Sequence, residues 1–299
     1  MIRNPVPWPN GARCACAITF DMDADSLIHI ASPRDSINRL YPITMGRYGP
    51  TVGVPRILET YRRLGIKQTF FIPGWCIEQY PDTVEAILAN GHEIGHHGWL
   101  HEDPCSASPA EQAHWLDRAL EAHDKVCGMR PRGYRAPLYN VSADSPDLLI
   151  ERGFVYDSSL MADDIPYLMK TERGELWEMP GHWGTDDWPP YAHYAEIGYM
   201  MPVRAPSVGL QAFIEEFEAQ YEAGGFWMAI WHPFLTGRLA RWRAVERWLE
   251  DVLASKAVWF ARLEDIAAHV KAVTAAGDYT PRVERLPYYD RPVGLERRP

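Results

Sequence analysis

Short, almost wholly apolar runs alternate along this chain with longer segments whose apolar residues recur every three to four positions. The runs read as strands buried on both faces, at 15–21, 67–72, 92–96, 133–135, 154–156, 226–231 and 258–260. The periodic segments read as helices, at 52–64, 81–90, 108–126, 145–152, 207–223, 239–254 and 263–275. In the first of them Leu58, Tyr61 and Leu64 share a face. Pro81 opens one helix and Gly91 follows it, the usual asymmetry of helix ends. Ser108, Pro109 and Glu111 supply an N-cap, a first-turn proline and the acid of a capping box. Repeated strand–helix units with apolar strands predict an α/β fold with a parallel sheet covered by helices. About seven to eight such units favour a (β/α) barrel over an open sheet. No repeat or linker divides the chain, so residues 1–299 are expected to form one domain. Two stretches escape the alternation. Residues 158–206 read as irregular and rich in Pro, Trp and Tyr. The tail at about 277–299 is expected to be either disordered or packed on a neighbouring subunit.

The polar residues that end the apolar runs change the picture from fold to chemistry. Asp21, Arg135, Asp157 and His232 each sit at or just beyond a strand end. In a barrel those ends share one face, where catalytic groups gather. Asp21 and Asp23 are two residues apart, so extended backbone projects both the same way. His97 and His101 are four apart, so a helical turn would place them on one face. One Asp and two His with positions left for water describe a catalytic metal site rather than a closed structural one. Asp23, His97 and His101 are therefore the expected ligands of a divalent cation, Zn²⁺ first, with Co²⁺, Mn²⁺ or Ni²⁺ also compatible. Asp21 is left free to act as a base, with Asp25 as a rival. By strand alternation His96 faces away from His97 and is expected to pack in the core. Each of these residues has an ordinary alternative: a turn aspartate, a surface arginine, a packed histidine. Their convergence on one predicted face is what favours chemistry.

Composition removes whole classes of function. The net charge of −10 argues against a nucleic-acid or anionic-membrane surface. Hydrophobic content of 46% and charged content of 23% are those of an ordinary globular chain. The N-terminus lacks a continuous apolar core of the signal-peptide kind, and no run approaches membrane-spanning length. Five cysteines, without zinc-ribbon spacing, are expected to be reduced, with Cys14 and Cys16 packed as thiols. A cytoplasmic setting is the expectation.

Taken together these segments resemble the polysaccharide deacetylase superfamily (NodB-homology, carbohydrate esterase family 4) over about residues 18–234. Thr19-Phe20-Asp21-Met22-Asp23 resembles its first motif, a base followed by a ligand, and His97-Gly98-Trp99-Leu100-His101 its second, which supplies two ligands. Arg135-Ala136-Pro137-Leu138-Tyr139 resembles the third, whose Arg pairs with the base. Asp186-Asp187-Trp188 resembles the fourth, which lines the site, and Ile230-Trp231-His232 the fifth, whose His is the acid. Met22 separates aspartates that are usually adjacent, Gly98 stands where Ser or Thr is usual, and the third motif is one residue longer before its aromatic. These variants are similar to the branch with peptidoglycan deacetylase-like proteins, allantoinases and cyclic imide hydrolases, and residues 3–29 are most similar to the last.

The resemblance implies a distorted (β/α) barrel of about seven strands. It implies a metal-dependent hydrolase of carbon–nitrogen bonds other than peptide bonds. A small cyclic imide or cyclic amide is the first substrate to expect, and N-acetylated sugars or peptidoglycan- or chitin-type glycans the second. A binding protein that has lost turnover is a third reading, disfavoured by the complete base, ligand and acid set. Asp21 would be the base, steered by Arg135, and His232 the acid, with Asp187 as its imidazole partner. Tyr139, Asp187 and Trp188 would contact substrate, with a backbone N–H near Tyr139 facing the oxyanion. Residues 158–206 would roof the pocket with Trp177, Trp183, Trp188, Tyr191, Tyr194 and Tyr199. A homo-oligomer, tetramer or dimer, is implied as well.

Overall fold

The computed structural model describes residues 2–292 and 294. Among these, ten strands form one sheet: β1 (Cys14–Asp21), β2 (Thr69–Ile72), β3 (Glu93–His96), β4 (Gly133–Tyr134), β5 (Tyr156–Asp157), β6 (Tyr167–Lys170), β7 (Glu175–Glu178), β8 (Phe226–Trp231), β9 (Val258–Phe260) and β10 (Val283–Arg285). Their order is β10-β6-β7-β5-β4-β3-β2-β1-β8, with β9 also on β1. All pairings are parallel except the antiparallel β6–β7 hairpin. One edge of β1 is shared: Cys14–Cys16 pairs with β9 and Thr19–Asp21 with β2.

β1 and β8 are fully buried because each has two apolar jobs. Cys14, Cys16, Ile18 and Phe20 alternate outward with Trp227 and Trp231 against Ile57, Tyr61, Trp242 and Trp248 of the covering helices. Ala15 and Ala17 point the other way with Met228 and Ile230, toward Phe71, Tyr156 and Trp177. Large residues therefore face the helices from β1, and small ones face inward. The sheet curls into a barrel: Arg135, just beyond β4, bonds Thr19 on β1 and Met228 on β8. Those strands are well separated in sheet order, so only a curved sheet lets one guanidinium touch them all.

The predicted helix at 52–64 is the last part of a longer rod. It runs as a helix over Leu40–Tyr48, a π turn over Gly49–Gly53 and a helix over Val54–Leu64. Gly46 and Gly53 touch main chain so closely that a Cβ would collide with Ala24 O and Pro233 O respectively. The rod is thus seated on two loops, one just after Asp23 and the other just after His232.

Two expectations are corrected. Residues 158–206 are not irregular throughout, since they contain the β6–β7 hairpin and a short helix at Trp188–Tyr191. In its described part the tail is ordered against its own chain. β10 adds in parallel to β6, and the Tyr279 hydroxyl donates to Pro166 O at 3.1 Å. Residues 293 and 295–299 lie outside the described residues. The five cysteines are free, and among the described residues no helix is long and apolar enough to cross a membrane.

Candidate active site

Asp21 ends β1, and Met22 N–H still donates to Phe71 O at 2.8 Å, so the strand geometry carries past Asp21 toward Asp23. His97 follows β3 directly. The expected helical turn from His97 to His101 is absent. A loop does the work instead, with left-handed backbone at Gly98 (φ 72°) and at His101 (φ 68°). Glu102 shapes it by accepting the N–H groups of Trp99 and Leu100, both at 2.7 Å. A Cβ on Gly98 would lie 2.8 Å from Glu102 Oε1, so the glycine there is a packing requirement as well as a conformational one.

This loop aims two ligand nitrogens at Asp23, which arrives from the end of β1. His97 Nε2 lies 3.4 Å from Asp23 Oδ1, and His101 Nε2 lies 3.6 Å from Asp23 Oδ2. The His97 Nδ1–H donates to Arg135 O at 2.8 Å, which leaves the lone pair on Nε2 facing the gap. That Nε2 and both Asp23 oxygens are buried without a hydrogen-bond partner. Buried acceptors facing each other are costly unless something positive joins them. Asp23, His97 and His101 therefore form a buried set that fits a divalent cation. Burial pushes the Asp23 carboxyl up, but the imidazoles of His101, His232 and His97 outweigh it and hold it well below the usual carboxylate range. Burial would lower His97, yet Asp21 and Asp23 raise it. Burial wins at His101 and pushes it down to about 4.

Asp21 and His232 flank that set, each with its own support. Arg135 is wholly buried and donates to Asp21 Oδ1 at 2.7 Å, to Thr19 Oγ1 at 2.8 Å and to Ser158 O and Oγ at 3.0 and 2.9 Å. Its guanidinium lies over the Phe71 ring, 4.3 Å from the centroid. Asp21 Oδ2 remains on the cleft side, 3.9 Å from His97 Nε2. The His232 Nδ1–H donates to Asp187 Oδ1 at 2.7 Å. Asp187 Oδ2 accepts from His232 N, Thr236 N and Thr236 Oγ1 at 3.0, 3.1 and 2.5 Å. Burial would lower His232, but Asp187 and Asp23 raise it well above the ordinary imidazole value. Its Nε2 sits 3.4 Å from Asp23 Oδ2, on the ligand side.

Several expected placements shift. Asp187 does not contact the cleft: it is wholly buried and its oxygens are committed to His232 and Thr236. Asp186 lines the cleft instead. Its carboxyl, pushed up to about 7 by burial against the opposing pull of His232, accepts the Tyr139 hydroxyl and the Trp188 N–H. The Tyr139 N–H is spent on Ala136 O at 3.0 Å, so that amide does not face an oxyanion. Asp25 turns away from the cleft, bonded by Tyr80 and facing His29 and Arg47. Asp157 also stays behind the rim, where it accepts the Ser159 hydroxyl at 2.6 Å. His96 packs as expected, stacked on His123 and bonded to Leu116 O at 3.2 Å.

Around these groups is a cleft walled by Leu27, Leu138, Trp183, Trp188 and Ile197. Of the six aromatics expected in a roof, Trp183 and Trp188 line it, while Tyr194 and Tyr199 buttress Trp188 edge-on. Trp177 and Tyr191 belong to the core. Leu27, Leu138, Ile197, Glu102 and the part played by Asp186 escaped the sequence reading. Leu138 and Ile197 are exposed apolar side chains, a feature that only the folded chain displays. Ala24, His101, Leu138 and Tyr139, all at or beside the cleft, have left-handed backbone, and among the described non-glycine residues only Asn10 shares it. Strain of that kind persists where surrounding structure enforces a site.

A mostly parallel curled sheet with an Asp/His/His set at its rim defines a hydrolase of the polysaccharide deacetylase superfamily, and the chain belongs to it. A family profile described as polysaccharide deacetylase matches residues 48–156, the stretch holding His97, His101, Arg135 and Tyr139. A solved structure from Mycobacterium smegmatis, assigned as a polysaccharide deacetylase, is 36% identical with a TM-score of 0.89, covering 98% of this chain and 99% of that one. A peptidoglycan deacetylase of Helicobacter pylori is 27% identical over 252 residues, 75% of this chain and 86% of that protein. The peptidoglycan deacetylase-like protein FGM2 of Gibberella zeae is 38% identical over 154 residues, 51% of this chain, and the chain spans only 45% of its length. A PuuE allantoinase, 24% identical over 91% of this chain and 94% of its own, shares the fold with a TM-score of 0.75.

Proposed function

We propose that this protein is a metal-dependent hydrolase that opens a small cyclic imide or cyclic amide. The observation that carries the reading is the cleft itself, whose flat, apolar walls at Trp183 and Trp188 close on the ligand set and suit a planar ring. Such a ring has no internal rotors to freeze, which lowers the cost of binding it. Zn²⁺ is the proposed cation, held by Asp23, His97 and His101. When bound, it supplies Lewis acidity for the carbonyl and for the attacking water. Asp21 Oδ2 takes the water's proton, while Arg135 holds the other oxygen and keeps the carboxylate oriented. The His232 Nε2–H gives a proton to the departing nitrogen, and Asp187 stabilises the charged imidazole until it does. Water is consumed and a carboxylate and a freed nitrogen result.

N-deacetylation of an amino sugar or glycan is the second reading, favoured by the names of the Helicobacter and Gibberella relatives. The two separate in one assay on zinc-loaded protein. Succinimide, maleimide, hydantoin and allantoin are compared with N-acetylglucosamine oligomers and peptidoglycan. Opening of at least one ring with no acetate release is expected. Acetate release faster than every ring opening would replace the first reading by the second.

A further inference from the structure

We infer that Tyr139, held by Asp186, reads the substrate nitrogen and admits nitrogens that bear a hydrogen. This rests on the proposed hydrolysis of a carbon–nitrogen bond, but not on whether a ring or an acyl chain carries that bond. Both residues line the cleft. The Tyr139 hydroxyl donates its only proton to one Asp186 oxygen, and the Trp188 N–H donates to the other at 2.7 Å. Asp186 is only 2% exposed, so little water competes for that proton. A phenol whose proton is committed presents only lone pairs to whatever faces it. The ring is further confined by edge-on contact with Trp183, centroids 5.0 Å apart, and by left-handed backbone at Leu138 and Tyr139.

Position gives this acceptor its meaning. An Asp186 oxygen and a His232 ring nitrogen belong to a group of atoms all within 4.8 Å of one another. Tyr139, Asp186 and His232 line one cleft, so the phenol oxygen and the proposed acid face the same space, which a departing nitrogen enters. A nitrogen seated there with a hydrogen completes a bond to Tyr139. An N-alkyl nitrogen sets carbon against a buried acceptor and leaves it unpaired. Tyr139 is thus the specificity-determining residue, and Asp186 is a positioning residue that sets which way the hydroxyl points.

The alternative is that the pair merely latches two loops together. Zinc-loaded full-length protein, above neutral pH, distinguishes them with two matched probe pairs. The unreactive lactams 2-pyrrolidinone and its N-methyl derivative report binding, by ligand-observed NMR. Succinimide and N-methylsuccinimide report turnover. The wild type is expected to favour the N–H member by at least about tenfold, the scale of one buried hydrogen bond. Tyr139→Phe keeps the space and removes the acceptor, and should bring the ratio within about twofold by weakening the N–H member. Asp186→Asn should narrow it with zinc content unchanged, and where that variant fails to fold Tyr139→Phe decides alone. No preference in either pair overturns the inference, as does a preference that survives in Tyr139→Phe, which would be steric. Discrimination between lactams without succinimide opening would remove the ring-opening reading and leave this inference standing. Ring opening without discrimination would do the reverse.

Discussion

Asp23 has no hydrogen-bond partner for either oxygen, and that fact separates ligands from neighbours. With three donors and no spare, Asp23→Ala, His97→Ala and His101→Ala should each lose zinc and activity together. His96→Ala should keep the metal, because its ring packs on His123 rather than facing the gap. Asp21→Asn should keep it too but turn over at least ~100-fold more slowly, the usual scale for a lost general base. Metal analysis beside kcat reads this series, and full zinc in His101→Ala or normal kcat in Asp21→Asn would contradict it. Most of the polar residues were legible because chemistry limits which types can stand at a strand end. The apolar ones were not: Leu27 and Ile197 line the cleft from a helix and a short 3-10 turn, and nothing in a leucine or isoleucine marks that use. Asp186 and Asp187 are adjacent and chemically identical, so only the course of the chain says which faces ligand and which holds His232.

Strands were read well where both faces are apolar, as in β1 and β8. The β6–β7 hairpin went unseen because its strands are four residues each and buried on both sides over most of their length, which erases the alternation that identifies a surface hairpin. The spacing of His97 and His101 pointed to convergence, but a glutamate-stapled loop provides it, and that needed Glu102 to be seen in place. The rod from Leu40 to Leu64 was half legible, since its π turn breaks the helical period at Gly49–Gly53. Gly53→Ala tests what the rod does. A methyl group there must displace Pro233, at a cost of about 1–3 kcal/mol for overpacking. The expected result is a lower melting temperature and a reduced kcat with zinc retained, because His232 moves while the ligands do not. Unchanged kcat would mean the rod supports the fold without setting the acid.

Among the described residues several large apolar side chains lie on the surface. Ile37, Leu40 and Tyr41 are exposed, as are Met200, Met201 and Val203, and Tyr41 and Val203 border one groove. Exposed apolar groups of this kind suit contact between copies, and we propose that the chain forms a dimer or tetramer in solution. Light scattering at micromolar concentration should give at least twice the chain mass, and Leu40→Glu should lower it; a monomeric wild type would refute the expectation. Topology was legible as alternating strands and helices, but not the closure, because pairing across the chain leaves no local trace. Ala15 pairs with Phe226 and Cys14 with Val258. During synthesis β1 is therefore made long before β8 and β9 and waits for those neighbours to exist. A largely apolar strand left open for that interval is a template for the wrong partner. The same ordering that sets β1 between β2, β9 and β8 makes it a segment in need of protection on the ribosome.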